Sequence, residues 1–372
     1  MRLAWHNILH DRLRYAVTTL GIACAVFLMV FQGSILLGFL HAASKIIDTT
    51  DADIWITGRG VSCFEFPVTV ERRLFEMARE VPGVAEAGRI CAGQVQFRRT
   101  DGARRQVVLV GADSEVGERF PVPHLSGGSD AVAPDSLLID QSAEQTLNVV
   151  KIPVEVETNN LRARVTGEIS GFSSFLGSPY VFTSYQDAAK YLGLENDETM
   201  FIVLKLKPGV GLEAVKNQLR NRFPHVDVWT HNEFSRKARW YWISQTGAGG
   251  AILMAAVLGF LIGLAIVSQA VYATTMENIE EFATLKAIGG SRRFIMIVIM
   301  AQAVICGAGG YLLGALITAP AVKAASSAIP WIFTPWWLLI GALIPTLGMC
   351  VLASILSVKA ALQVEPARVF RA

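Results

Sequence analysis

Four stretches of the chain contain no Asp, Glu, Lys or Arg: 15–44, 240–276, 294–322 and 324–358. A helix crossing a bilayer needs roughly 20 mostly apolar residues, because the hydrocarbon core is about 30 Å thick. Each stretch has room for one such helix. The apolar runs predict spans at 15–41, 249–273, 294–319 and 336–358. The first is too long for a secretory signal and lacks a small-residue cleavage site, so it is read as a retained span.

Between the first two spans, residues 42–243 alternate over short distances instead. "DADIWITGRG" reads as a strand, "VERRLFEMAREVPGV" as an amphipathic helix and "AGQVQFRR" as a strand. Near the other end the order repeats, with "MFIVLKLKPG", "LEAVKNQLRNRFPHV" and "DVWTHNEF" as strand, helix and strand. Leu74, Met77, Ala78 and Val81 recur at helical spacing, as do Leu212, Val215 and Leu219. Both helices run into a proline turn, which stops them. Two β-α-β halves, at 49–99 and 199–235, are therefore expected to pair into one lobe. The middle, 100–198, carries the short alternating strands "RQVVLVGAD", "SLLID", "IPVEVET" and "ARVTGEISGF", with "EQTLNVV" as a helix among them. It reads as an inserted β-rich lobe, with a single undivided α+β domain as the alternative.

Charge adds an orientation. Only 17% of the 372 residues are charged, against about 25% in soluble domains. Of 33 Lys and Arg, 23 fall between 42 and 243, which leaves ten. Nine of the ten sit in three short segments: Arg2, Arg12 and Arg14; Lys286, Arg292 and Arg293; Lys359, Arg368 and Arg371. Four spans put all nine on one side, and basic flanks mark the cytoplasmic side. Both termini are then expected in the cytoplasm, with 42–243 and the short 320–335 loop outside. The 42–243 segment holds 26 acidic and 23 basic residues, which does not suit a nucleic-acid surface.

Several chemistries find no support. There is no G-x-x-x-x-G-K-[ST] phosphate loop, no G-x-S-x-G and no H-E-x-x-H. His6, His10, His41, His124, His225 and His231 are scattered, and the i, i+4 pair His6–His10 lies on the polar face of an amphipathic segment rather than at a metal. The spans carry no acidic residue, which argues against an ion relay. Gln32, Gln269 and Gln302 are read as interhelical hydrogen-bonding groups, and Gly259/Gly263 and Gly310/Gly314 as small-residue faces for close helix packing, within the chain or between copies. Cys24, Cys306 and Cys350 fall in spans as packing residues. Cys63 and Cys91 lie where a disulfide is chemically allowed, though spacing alone does not bring them within reach. Phe64, Phe66, Phe172, Phe175 and Tyr180 sit beside Gly and Ser, and are expected to pack within their own domain. No catalytic, cofactor or metal constellation is found.

Residues 1–14 form an amphipathic segment, with Trp5, Ile8, Leu9 and Leu13 on one face, suited to lie on the inner membrane surface. The segment 274–293 places acids early and bases late, as a helix dipole favours. Gly289-Gly290 ends one helix and Ser291 can cap the next. A short helix fused to two spans is expected there, rather than a plain turn.

"EEFATLKAIGGSRR" resembles the coupling segment of MacB/FtsX-type ABC transporter permeases. "VPGVAEAG" resembles the opening of their outer domain, and "AALQVEPARVFRA" resembles their tail, except that Gln363-Val364 stand where many members have Asp-Pro. "LAWHNILHDRLRYAVTTLGIACAVFLM" is most similar to the DevC-like subgroup. The resemblance implies a membrane protein with four transmembrane α-helices and a large α+β extracytoplasmic domain, made of a porter-like lobe and an inserted sabre-like lobe, between helices one and two. It implies a non-catalytic permease in the bacterial inner membrane that pairs with a second copy of itself. ATP and Mg would be bound by a separate ABC ATPase subunit, with no cofactor in this chain. Glu277, Glu280, Glu281, Phe282, Leu285, Lys286, Ile288, Gly289, Arg292 and Arg293 would contact that ATPase. A periplasmic adaptor (membrane fusion protein) and an outer-membrane channel would complete an exporter of a glycolipid, lipid or similar amphiphile, in contact with membrane lipids. The alternative is an FtsX-like activator of an envelope enzyme, with no exported cargo; a stand-alone membrane enzyme or receptor fits least.

Overall fold

The computed structural model describes residues 12–113, 133–149, 151–277, 284, 289 and 291–363. The chain opens with α1 (Arg12–Thr49) and enters β1 (Ile54–Gly58). Then follow β2 (Val70–Glu71), α2 (Arg73–Arg79), β3 (Val84–Arg98), β4 (Arg104–Ala112), β5 (Ser136–Asp140), α3 (Glu144–Leu147), β6 (Val154–Thr158) and β7 (Leu161–Ile169). The domain is completed by β8 (Tyr180–Ser184), α4 (Tyr185–Leu192), β9 (Glu198–Thr199), β10 (Phe201–Leu206), α5 (Leu212–Arg222), β11 (Val226–Thr230) and α6 (His231–Ser244). Three long helices close the described chain: α7 (Gly247–Glu277), α8 (Arg292–Ala325) and α9 (Trp336–Gln363). Contacts divide the chain into two units, one holding Met1–Gly38 with Ala251–Ala372 and the other Phe39–Gly250.

In the Phe39–Gly250 unit, nine strands form one sheet in the order β11-β1-β10-β3-β4-β8-β5-β7-β6. The first four are the two expected β-α-β halves, interleaved and antiparallel throughout. This is the split β-α-β arrangement. Period-two alternation sorts their faces. Ile54, Ile56, Ile202 and Leu204 point to one side and meet Phe75 and Ala78 of α2 and Val215 and Leu219 of α5. Trp55 and Phe201 point to the other side, where Phe234 of α6 closes over them at ring distances of 5.3 and 6.1 Å.

The inserted strands continue the same sheet through β3. Its first half pairs with β10, its second half with β4, and its tip with β6, at Phe97↔Thr158 and Arg98↔Glu157. That last pairing closes β3-β4-β8-β5-β7-β6 into a ring. Val95, Phe97, Leu109, Leu137, Ile139 and Val165 fill a second core, with Tyr185, Ala188 and Tyr191 of α4 packed against it. The unit thus holds two cores strung on one sheet, which share a 15-residue strand.

Three local differences have clear causes. Residues 231–234, expected to extend a strand, begin α6: Thr230 caps Glu233 N and the Glu233 carboxylate accepts from Thr230 N, a capping box. "EQTLNVV" yields a single turn because Asn148 turns left-handed at φ 55. The sequence reading also passed over β8 and α4; Ser184 caps α4 and Gly193, at φ 68, ends it.

In the other unit, four helices are long and apolar enough to cross a membrane: Tyr15–Thr49, Gly247–Glu277, Met296–Ala325 and Trp336–Ile355. Each overlaps one of the four apolar runs; the first ends at Thr49 and not 41, the second at Glu277 and not 273, and the third at Ala325 and not 319. Tyr15, Ile22, Val26 and Val30 of α1 sit in the middle of the bundle, against Val267 and Val271 of α7, Ala303 and Cys306 of α8, and Met349 and Cys350 of α9. Leu258, Leu261 and Ile262 of α7, Leu312 and Leu316 of α8 and Ile344 of α9 are exposed, as suits surfaces facing lipid.

Candidate functional site

The small residues of the spans meet α1. A Cβ on Gly310 would stand 2.6 Å from Ile22 Cβ and 2.9 Å from Thr19 O; one on Gly314 would stand 2.7 Å from Ala23 O. Gly259 faces Gln32 Cγ at 3.0 Å and Gly263 faces Ala25 O at 3.4 Å. Both G-x-x-x-G faces are therefore filled within the chain. Of the expected polar span residues, Gln32 is half-buried, Gln269 exposed and Gln302 buried.

Of the expected ATPase contacts, Glu277 is the exposed last residue of α7. Gly289 has φ 96, a left-handed turn that suits glycine. Ser291 caps α8, its hydroxyl accepting from Phe294 N at 3.2 Å. Arg292 opens α8 and Arg293 is exposed. Glu280, Glu281, Phe282, Leu285, Lys286 and Ile288 lie outside the described residues, as do 1–11, His124 and 364–372. Among the described residues no group of His, Cys, Asp and Glu could hold a metal.

Two polar clusters fasten the helices that enter and leave the 39–250 unit. The first joins α1 to α6. Arg239 donates from Nε to Ser44 Oγ at 2.8 Å and from Nη2 to Asp48 Oδ2 at 2.6 Å, while Ser44 Oγ donates to Asp48 at 2.7 Å. Burial works to raise the Asp48 pKa, but hydrogen bonds from Ser235 and Ser44 and the Arg239 charge outweigh it, and the net shift is down. His231, at the head of α6, contacts Ala52 O at 3.1 Å through Nδ1. Beside this clamp a polar cavity of about 470 Å³ is lined by Asp48, Asp51, Asp53, His231 and Asn232. Its carboxylates are already engaged: Asp51 with Lys205, Asp53 with Leu206 N, and Asp48 with Arg239.

The second cluster is centred on Glu65, which is 5% exposed. Tyr180 OH of β8 donates to its Oε1 at 2.9 Å and Trp242 Nε1 of α6 to its Oε2 at 3.2 Å. Burial raises the Glu65 pKa despite these donors, and burial with the nearby Glu65 charge raises that of Tyr180. Aromatic rings wrap the cluster: Phe175 lies 4.8 Å from Trp242 and 5.1 Å from Phe39 at the outgoing part of α1. Phe64, Phe172 and Tyr180 are buried as expected for packing, whereas Phe66 stays 48% exposed. Cys63, next to this cluster, is a free buried thiol whose pKa burial pushes up to about 12. Cys91 is also free and buried, in the other core. No disulfide joins them. Cys306 and Cys350 pack in the bundle, while Cys24 is exposed on it.

Sequence reasoning missed both clusters, because the contacts that assemble them join residues 115 to 195 positions apart. The buried acid flanked by aromatics, "CFEFP", was the available signal.

Four long apolar helices with one large domain between the first and second define a membrane protein of the permease type. A MacB-like periplasmic core domain matches residues 15–222, and an FtsX-like permease C-terminal domain matches residues 252–366. The chain belongs to the MacB/FtsX-type ABC transporter permeases. An uncharacterised ABC transporter permease of Mycobacterium tuberculosis (strain CDC 1551 / Oshkosh) is 24% identical over 342 residues, covering 90% of this chain and 88% of that protein. One from Mycobacterium bovis (strain ATCC BAA-935 / AF2122/97) is 21% identical over 310 residues, covering 82% and 81%. Among solved structures, the periplasmic region of MacB from Actinobacillus actinomycetemcomitans is similar at 11% identity and a TM-score of 0.37, covering 50% of this chain and 92% of that one. The extracellular domain of the ABC-type transporter YknZ from Gram-positive bacteria is similar at 13% identity and a TM-score of 0.33, covering 48% and 98%.

Proposed function

We propose that this permease passes ATP-driven motion of a separate ABC ATPase across the inner membrane to the 39–250 domain. The observation that carries the reading is the Arg239–Asp48–Ser44 clamp. It fastens α6 to the outgoing end of α1, inside the 39–250 unit. α1 is unbroken over 38 residues, about 57 Å at 1.5 Å per residue. α6 passes to α7 through Thr246, whose hydroxyl donates to Trp242 O at 2.5 Å and accepts from Gly249 N at 3.1 Å.

In this reading both termini and residues 274–293 face the cytoplasm, supported by the nine Lys and Arg of the short segments. Glu277, Glu280, Glu281, Phe282, Leu285, Lys286, Ile288, Gly289, Arg292 and Arg293 contact the ATPase, which alone binds ATP and Mg. The chain itself is non-catalytic and works as a pair of copies. With a periplasmic adaptor and an outer-membrane channel, the movement drives export of an amphiphile.

The test is copurification with the ABC ATPase, using the wild-type chain and a variant with Leu285, Lys286 and Ile288 replaced by Ala. Binding is expected for the first and lost for the second. Arg239→Ala is expected to keep ATPase binding and lose export. A chain that binds no ABC ATPase in membranes, with or without nucleotide, refutes the reading.

A further inference from the structure

The closed ring of strands carries an arginine-rich outer face. Its neighbouring strands β4, β3, β6 and β7 set Arg104 opposite Arg98, Arg98 opposite Glu157, and Glu157 opposite Arg162. Residues directly opposite in an antiparallel ladder share a face, so these four form one row. Phe97, Val156 and Ala163, their neighbours in sequence, belong to the core of the ring, so the row points outward. Glu155 and Arg164, also opposite each other, add a second row two residues along β6 and β7. Strand spacing and rise make the face roughly 14 Å by 7 Å.

Its charges do not balance. Arg98 binds Glu157 at 2.9 Å. In the adjoining turn Arg99 pairs with Asp101 at 2.9 Å. Arg104 has only a 3.5 Å contact with Gln96 Oε1. Among the described residues, the guanidinium groups of Arg162 and Arg164 have no hydrogen-bond or ion-pair partner, although each stands opposite a carboxylate. Three exposed cations, Arg104, Arg162 and Arg164, are thus left with the single unpaired acid Glu155. Residues 42–243 as a whole hold 26 acids against 23 bases, so this excess is local. It also works against stability, because like charges directly opposite in a ladder repel and Arg98 and Arg104 are such a pair. Packing does not require them, since both are exposed.

Arginine presents a planar fork of donors that fits a carboxylate or a phosphate. The embedded glutamates decide between the two. A phosphate surface carries negative charge alone and meets repulsion from Glu155 and Glu157. A protein segment can set carboxylates against the arginines and a donor against the glutamates. We propose that this face docks an acidic segment of a partner protein. The inference goes beyond the coupling reading and stands without it, since neither ATP nor residues 274–293 take part.

The experiment places the photocross-linker benzoylphenylalanine at Gln106, an exposed position two residues from Arg104 on the same face, in the full chain in its native membrane. Illumination should yield one discrete adduct with another protein, whose cross-linked peptide is rich in Asp and Glu. In the triple variant Arg104→Gln, Arg162→Gln, Arg164→Gln the adduct should fall about tenfold or more. An adduct that persists in the triple variant overturns the proposal, as does one with lipid or a second copy alone, or none at all. Should the triple variant not accumulate, Arg162→Gln is read instead; a reduced yield supports the proposal and an unchanged one overturns it. Thermal unfolding gives a second measurement. Arg104→Gln removes the like-charge pair and should raise the midpoint by up to about 4 °C. A lower midpoint means that Arg104 serves the fold, and the proposal fails. Neither readout involves the ATPase, so failure here is distinct from failure of the coupling reading.

Discussion

Glu65 should make the stability of the 39–250 domain depend on pH in an unusual direction. Its carboxyl is buried between the Tyr180 hydroxyl and the Trp242 indole, and burial raises its pKa from the ordinary 4.5. The folded chain therefore holds a proton that the unfolded chain releases. The stabilisation is complete below pH 4.5 and is lost as pH climbs through the raised folded value. Within that window the slope is at most one proton, about 1.4 kcal/mol per pH unit. Glu65→Gln cannot ionise. Its amide oxygen still accepts from Trp242, and its amide nitrogen can donate to the Tyr180 oxygen. The variant should lack the slope, so its advantage over wild type should grow steadily as pH rises above 4.5. Glu65→Ala should behave differently. It leaves two buried donors unmet, at about 1–3 kcal/mol each, and removes a methylene worth about 0.8 kcal/mol of burial. A loss of about 3–7 kcal/mol follows below pH 4.5, and it shrinks as pH rises because only wild type carries the ionising group. The assay is unfolding of the full chain from pH 4 to 8, followed by tryptophan fluorescence because Trp55 and Trp242 lie in or beside the cluster. Parallel stability curves for wild type and Glu65→Gln would refute the reasoning.

Arg239→Ala should cost about 1–2 kcal/mol, since the Asp48 carboxylate loses a charged donor but both groups keep some contact with water. The Asp48 pKa is depressed, so its share of stability is present above its ordinary value of 3.8 and lost as pH falls through the folded value; acid melts of Asp48→Asn should show that slope removed. Gly310→Leu should lower the melting midpoint sharply, because a side chain there meets Ile22 and a backbone oxygen at contact distances no rotamer relieves. Gly348→Ala, with nothing within 4 Å, should be neutral or stabilise by about 0.5–1 kcal/mol. Cys63 should resist maleimide at pH 8 until the domain unfolds, and non-reducing gels should show no Cys63–Cys91 bond before or after.

The membrane helices were legible because charge is absent from whole stretches, and no folding of the chain changes that. The β-α-β halves were legible for a similar local reason. Ile54, Ile56, Ile202 and Leu204 alternate with residues of the other face, and Val215 and Leu219 keep helical spacing. What failed was local competition. Residues 227–234 look like one extended run until the Thr230–Glu233 capping box is weighed against them. The ring closure was not legible at all, since Phe97 and Thr158 meet from 61 positions apart with no motif to announce it. The clamp residues Ser44, Asp48 and Arg239 belong to the same class. Each reads alone as a solvated flank of an apolar stretch, and only the pairing of α1 with α6 gives the three a shared purpose.

The placement of the glycines bears on how two copies can meet. A G-x-x-x-G face serves close packing only once, because the neighbouring backbone occupies the groove it creates. In this chain the Gly310/Gly314 face holds Ile22, Ala23 and Val26 of α1, and the Gly259/Gly263 face holds Ala25 and Gln32 of the same helix. Helix α1 is thus gripped by small residues of α7 and of α8, and neither face remains for a second chain. Any pairing of copies within the membrane would have to use side chains that the bundle leaves exposed. Cysteines placed at Gly259 or Gly310 should therefore give no cross-link between copies, even under conditions where the chain behaves as a pair. A strong intermolecular cross-link from either position would mean that α1 is not the occupant of these grooves.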